Sequence, residues 1–116
     1  MPGRRWKVRL AAAAEADVRA IFLWTVEHFG VEQARRYRAT IFAAFRDLDN
    51  GPETAGVRDR AELGRGLKSL HVARHGRRGR HLILFTAGTE NRIQILRILH
   101  DSMDLARHLP GEHGEE

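Results

Sequence analysis

Residues 91–109, Asn91-Arg-Ile-Gln-Ile-Leu-Arg-Ile-Leu-His100-Asp-Ser-Met-Asp-Leu-Ala-Arg-His-Leu109, carry the reading on which the fold turns. Positions 93–99 are an apolar, β-branched run interrupted by Gln94 and Arg97, the composition of a central strand. Asp101-Ser-Met-Asp104 then offers N-cap candidates and an acid for a first helical turn, so a short helix is expected directly after the strand. Arg97 and His100 fall at the strand's end, where a scaffold of helices and strands often presents its chemistry. They are three residues apart, which puts them on opposite faces of the strand.

Upstream, Leu67 to Arg74 and His81 to Ala87 read as two more strands, joined across Gly76-Arg77-Arg78-Gly79 as a hairpin with a basic loop. Gly88-Thr-Glu-Asn91 is the turn into the last strand. Pro52 to Gly66 has few apolar residues and four Gly or Pro, so it reads as a long surface connection. Before it, the periodicity is helical. Ala14, Val18, Ile21, Phe22, Thr25 and Phe29 share one stripe that stops at Gly30. Ala34, Tyr37, Ile41, Ala44, Phe45 and Leu48 form a second, ended by Asn50-Gly51-Pro52. With so little chain between them, the two helices must fold back as an antiparallel hairpin. At the front, Trp6, Val8 and Leu10 alternate with Lys7 and Arg9 as a half-buried strand. The order is β-α-α-β-β-β-α, an α+β fold in which a small antiparallel sheet is covered by a helical hairpin. Residues 1–109 are expected to form one domain and 110–116 a disordered acidic tail.

The 116 residues suffice for one modest core. With no cysteine, disulfides and thiolate metal sites are excluded, which fits a reducing cytoplasm. Arg4, Arg5, Lys7 and Arg9 before Ala11–Ala14 imitate a signal peptide, but Glu15, Asp17 and Arg19 break the apolar run, so a cytoplasmic protein is expected. No uncharged apolar run approaches a membrane span. The net charge is +5, with 18 Arg against 2 Lys, and Glu112, Glu115 and Glu116 leave +8 on the residues before them. Such a surface suits an anionic partner, either nucleic acid or an acidic protein segment.

Three constellations merit weighing. Arg74, Arg77, Arg78 and Arg80 make the densest positive cluster, either a phosphate-tracking loop or a solvated hairpin tip. His71, His81 and His100 could move protons and Arg74 or Arg97 could stabilise a phosphorane-like charge; equally, Arg97 and His100 could brace the sheet. Leu23 and Trp24 lie off the buried stripe. They suggest a partner surface, unless Trp24 packs on the sheet edge. The His71-x3-His75 spacing lacks a Cys or acid partner and lies on a strand, so no metal and no cofactor are expected. Neither a phosphate-binding Gly loop nor a nucleophile triad is discernible.

Several pieces in order resemble one family. They are Trp6-Lys-Val-Arg-Leu10 with Ala13-Ala-Glu-Ala-Asp17, Arg58-Asp59 through Glu62-Leu63, and Gly66-Leu67-Lys68-Ser69-Leu70. His81-Leu-Ile-Leu-Phe85 and Ile95-Leu-Arg-Ile-Leu-His100 with Met103-Asp104-Leu105 complete the set. Together they resemble the ParE toxins of the ParE/RelE superfamily. The resemblance implies a toxin of a bacterial type II toxin–antitoxin system, neutralised by a cognate antitoxin of ribbon–helix–helix type whose flexible tail wraps it. It implies DNA gyrase as the target of a binding toxin, or, for RelE relatives, ribosome-dependent mRNA cleavage. The ribonuclease branch carries a Tyr or His near its end; here Tyr37 lies in the helix hairpin and only His108 remains there. The binding toxin is the primary expectation. The endonuclease, with Arg74, His81, Arg97 and His100 as catalytic candidates, is the alternative, and a basic nucleic-acid-binding regulator is the third. In the first reading Arg74, Arg77, Arg78, Arg80, Arg97 and His100 are target-binding candidates, and Leu23 and Trp24 with the exposed sheet edge are antitoxin-binding candidates.

Overall fold

The structure is a computed structural model that describes residues 5–103. Strand β1 spans Lys7–Leu10, helix α1 Ala12–Phe29 and helix α2 Val31–Asp47, which runs into a short 3-10 turn at Leu48–Asn50. Strands β2 (Arg58–Asp59), β3 (Lys68–His71), β4 (His81–Ala87) and β5 (Arg92–His100) follow. The order across the sheet is β1-β5-β4-β3-β2, with β1 parallel to β5 and every other pair antiparallel. The expected helix hairpin on a small sheet is present, with two additions. The sheet is mixed rather than wholly antiparallel, because the α-hairpin carries the chain across before β5 returns beside β1. The long connection also hides a two-residue strand, whose exposed Arg58 and Asp59 bury nothing and so leave no periodic signal. The strand expected over Leu67–Arg74 is shorter, and Asp101–Met103 form a turn rather than a helix start. The rest of the expected C-terminal helix and the acidic tail lie outside the described residues.

Gly30, at φ +91°, both ends α1 and opens α2, a conformation that side chains with a Cβ rarely adopt. The helices lay Ala14, Val18, Ile41, Ala44, Phe45 and Leu48 on a sheet face made of Leu70, Val72, Ile83, Phe85, Ile93, Ile95 and Ile98. Ile93 and Ile95 are odd-numbered and Ile98 even, yet all three face the helices. The register explains this: Phe85 pairs with Ile95 but Leu84 with Arg97, so Leu96 is an extra residue in a bulge. The bulge turns Arg97 away from the core and His100 toward the helix side. Arg97 and His100 therefore do lie on opposite faces, as their spacing implies.

Strand β1 ends at Leu10, opposite Ile95, which leaves the following edge of β5 without a strand partner. Asp17 of α1 fills that gap. Its Oδ2 accepts the Ile98 backbone N–H at 2.8 Å, and its two oxygens accept from the Arg97 guanidinium at 2.8 and 2.9 Å. The arrangement answers an edge amide that burial would otherwise penalise, and it raises the Arg97 pKa through the hydrogen bond to Asp17. Asp17→Ala should cost about 1–3 kcal/mol, read as a lower urea midpoint at unchanged slope. Asp17→Asn should cost less because it keeps an acceptor for Ile98. Equal, near-zero losses would mean that α1 is held to the sheet by apolar packing alone.

Candidate functional site

Where the helix hairpin overhangs the start of β4 and the end of β5, an open groove of about 860 Å³ forms. Its α1 wall is Ala20, Ile21, Trp24, Thr25 and Phe29; α2 adds Gln33 and Tyr37. The sheet end contributes Arg78, Gly79, Arg80, His81 and His100. Trp24 is 53% exposed and does not pack on the sheet edge. Its ring stacks on His28, one helical turn on, at 4.0 Å between centroids. Phe29 sits in the expected buried stripe by position, yet is 65% exposed and lies 5.9 Å from Trp24. At the last turn of α1 the stripe has run past the sheet, so its final member meets the groove instead of the core. Leu23 is exposed as well but does not line the groove.

The floor is polar and fully connected. Tyr37 was legible as part of a buried stripe, and its hydroxyl is what the stripe delivers to the site. It accepts the Arg80 backbone N–H at 3.0 Å and lies 2.7 Å from His81 Nδ1. Burial pushes the His81 pKa down to about 4, helped by neighbouring His100. The same burial raises Tyr37. Gly79 permits the close approach: a Cβ there would stand 2.5 Å from Val72 Cγ2 and 3.0 Å from the Tyr37 hydroxyl.

His100 meets His81 edge-on at 5.3 Å. Its Nδ1 accepts the Ser102 backbone N–H at 3.2 Å and has Ser102 Oγ at 2.7 Å, so its Nε2 carries a hydrogen. Asp101 beside it places Oδ1 3.7 Å from the same Nδ1 and is hydrogen-bonded elsewhere. It accepts from His71 Nε2 at 2.9 Å and pairs with Arg80 at 3.1 Å, and these bonds hold its carboxyl down at about 2. The backbone adds Asp101 N–H to Arg80 O at 2.7 Å, tying the basic hairpin to the end of β5.

The candidates named from sequence divide into separate places. His81, His100, Arg78 and Arg80 meet at the groove. Arg74 does not join the exposed cluster: Nε donates to Asp47 at 2.8 Å and Nη1 to the Ala55 carbonyl at 2.8 Å, with the side chain only 13% exposed. Arg97 is held by Asp17 on the other face of β5. Arg77 and Arg78 remain exposed at the hairpin tip, without an ion pair to any described residue. His71 and His75 diverge, to Asp101 and to Asp47 respectively. Among the described residues no group of three or more His, Asp or Glu side chains is placed to hold a metal. Also among them, no helix is long and apolar enough to cross a membrane.

A base whose folded pKa lies below its unfolded value binds its proton less readily when folded. Stability should thus fall as pH drops from about 6.5 to about 4 on account of His81, and level off for this group below that. Asp101 acts lower, between 3.8 and about 2, where acid removes its stabilising bonds. His81→Phe should flatten the Tm profile in the upper window and leave the lower one. An unchanged upper slope would mean that His81 is not held neutral by burial.

The family model of the ParE toxin of type II toxin–antitoxin system, parDE, matches residues 8–105. Toxin ParE1 of Caulobacter vibrioides is 28% identical over 102 residues, spanning 87% of this chain and 95% of that one. Toxin ParE1 of Mycobacterium tuberculosis is 29% identical over 101 residues, spanning 86% and 94%. Among solved structures, a chain of the chromosomal ParDE system from P. aeruginosa superposes with a TM-score of 0.68. It covers 84% of this chain and 98% of that one at 22% identity, a likeness of fold. A chain of the RelBE2 toxin–antitoxin complex from Mycobacterium tuberculosis gives a TM-score of 0.56 at 26% identity, covering 83% and 91%.

Proposed function

Because the chain belongs to the ParE toxin family of type II toxin–antitoxin systems, we propose that it acts by binding DNA gyrase and is neutralised by an antitoxin seated in the groove. The observation that carries binding over catalysis is the dispersal of the catalytic candidates. A phosphodiester cleavage needs an acid, a base and a cation within reach of one phosphate. Of the arginines named as catalytic candidates, Arg74 is committed to Asp47 and Arg97 to Asp17, in different parts of the molecule, and Arg80, which does stand at the groove, is paired with Asp101. His81 and His100 do share the groove, but a ring with a pKa of about 4 is a weak base at neutral pH. Arg77 and Arg78, exposed at the hairpin tip, provide the field that favours a polyanionic target such as a gyrase–DNA complex.

Induced expression followed by parallel assays of plasmid supercoiling and mRNA ends tests this reading. Loss of negative supercoiling with intact message is expected. Robust ribosome-dependent cleavage abolished by His100→Gln would instead install the endonuclease. Neutralising Arg77 and Arg78 together should weaken target binding and flatten its salt dependence, since fewer counterions are released. An unchanged salt slope would reduce the loop to a solvated turn.

For the antitoxin, Trp24 is the anchor this surface provides, half exposed on a groove wall where a partner can cover it. Trp24→Ala should weaken antitoxin binding about tenfold or more, as loss of a central aromatic anchor does. Leu23→Ala, outside the groove, should matter far less. An unchanged dissociation constant for Trp24→Ala would move the docking site elsewhere.

A further inference from the structure

The outer face of the helix hairpin, away from the groove, is strongly cationic. Residues 33–46 of α2 hold four Arg and no Asp or Glu. Arg35, Arg36, Arg38 and Arg46 are exposed, as is Arg19 on α1, and none of the five lines the groove. None makes an ion pair with a described residue, although Glu15 lies one turn from Arg19 and Glu32 one turn from Arg35 and Arg36. The Arg38 guanidinium lies over two rings, Phe22 of α1 at 6.0 Å and Phe42 at 5.4 Å. Stacking of this kind fixes the plane of the guanidinium and leaves its N–H edge for an anion. Arg35 stands one turn before it, and like charges at that spacing repel unless an anion lies between them. Arg74 bonded to Asp47 and the Arg80 N–H bonded to Tyr37 fasten the basic loop along α2, so exposed Arg77 and Arg78 flank the same helix.

Resting on the reading that the target is DNA-bound gyrase, we propose that the outer face of the helix hairpin binds the phosphate backbone of duplex DNA, with Arg35 and Arg38 at its centre. Three observations favour that occupant. From Arg35 to Arg46 the row runs about 16 Å along one helix, long enough to meet several phosphates of a duplex. The two rings nearest the row, Phe22 and Phe42, are half-buried and overlaid by Arg38, so they offer no stacking platform to the bases of a single strand. An acidic protein segment would need apolar anchors among its charges, and between Arg35 and Arg46 every exposed residue except Ala39 is an Arg. Contacts of this kind give affinity and position without sequence preference.

The test titrates the full-length chain, without antitoxin or gyrase, into a short labelled DNA duplex of arbitrary sequence and reads anisotropy at several salt concentrations. Arg35→Gln combined with Arg38→Gln places a good helix former at two exposed positions. It should weaken binding and reduce the slope of log affinity against log salt by about 1.8, the loss of two phosphate contacts. Arg38→Lys keeps the charge, so it should keep the slope while losing affinity with the stacked fork. Arg65→Gln, in the exposed connection, should change neither. A slope unchanged by the double substitution would overturn the surface, as would an equal loss of slope in Arg38→Lys or in Arg65→Gln. Tighter binding of a single strand, or of an acidic polypeptide of the same charge, would assign the face to that partner and overturn the proposal. The two readings fail separately: the parent chain's effect on plasmid supercoiling reports on the target, and the duplex titration on this face.

Discussion

One carboxylate holds the two layers in register. Asp17 receives the Ile98 amide and the Arg97 guanidinium, so α1 is bonded to β5 where strand pairing has stopped. Apolar packing alone would let a helix slide along a sheet face, because dispersion and burial are non-directional. A charge-assisted pair to a fixed backbone position removes that freedom. The placement of Trp24 and Phe29 over the sheet's end follows from it.

The bulge at Leu96 is the second constraint, and it acts jointly with the first. It rotates Arg97 off the core face and brings His100 round to the helix side. A regular strand would bury the guanidinium among Ile83, Phe85 and the helices. Instead Ile98 fills that position and His100 closes the groove beside His81. The site is thus a consequence of sheet geometry: two histidines arrive together because β4 and β5 pair through His81 and His100 at their ends. Tyr37 then orients one ring from above, and Gly79 makes room for it.

The helix hairpin and the strands at 81–87 and 92–100 were legible because their apolar periodicity reports burial directly. Strand β2 was not, since two exposed residues carry no pattern. The bulge did leave a trace: Gln94 and Arg97 are three apart, and both can be off the core face only if one residue is inserted between them. The individual site residues were visible as types, but not their partners. Arg74 meets Asp47 across 27 residues, Tyr37 meets His81 across 44, and Arg97 meets Asp17 across 80. Pairing over such separations is set by topology, and a charge cluster read along the chain counts Arg74 with Arg77 and Arg78 although only the latter two are exposed at the tip.

On the proposed reading, the basic hairpin tip meets the target and the groove beside it takes the antitoxin. Their shared border at Arg78 would then let one partner exclude the other without any change of fold. Cross-saturation NMR on the complex with antitoxin, the toxin perdeuterated, tests this most directly. The account predicts saturation at the Trp24 indole N–H and at the Gly79 to His81 amides. Saturation confined to the sheet edge at Arg58 and Asp59, with Trp24 untouched, would contradict it.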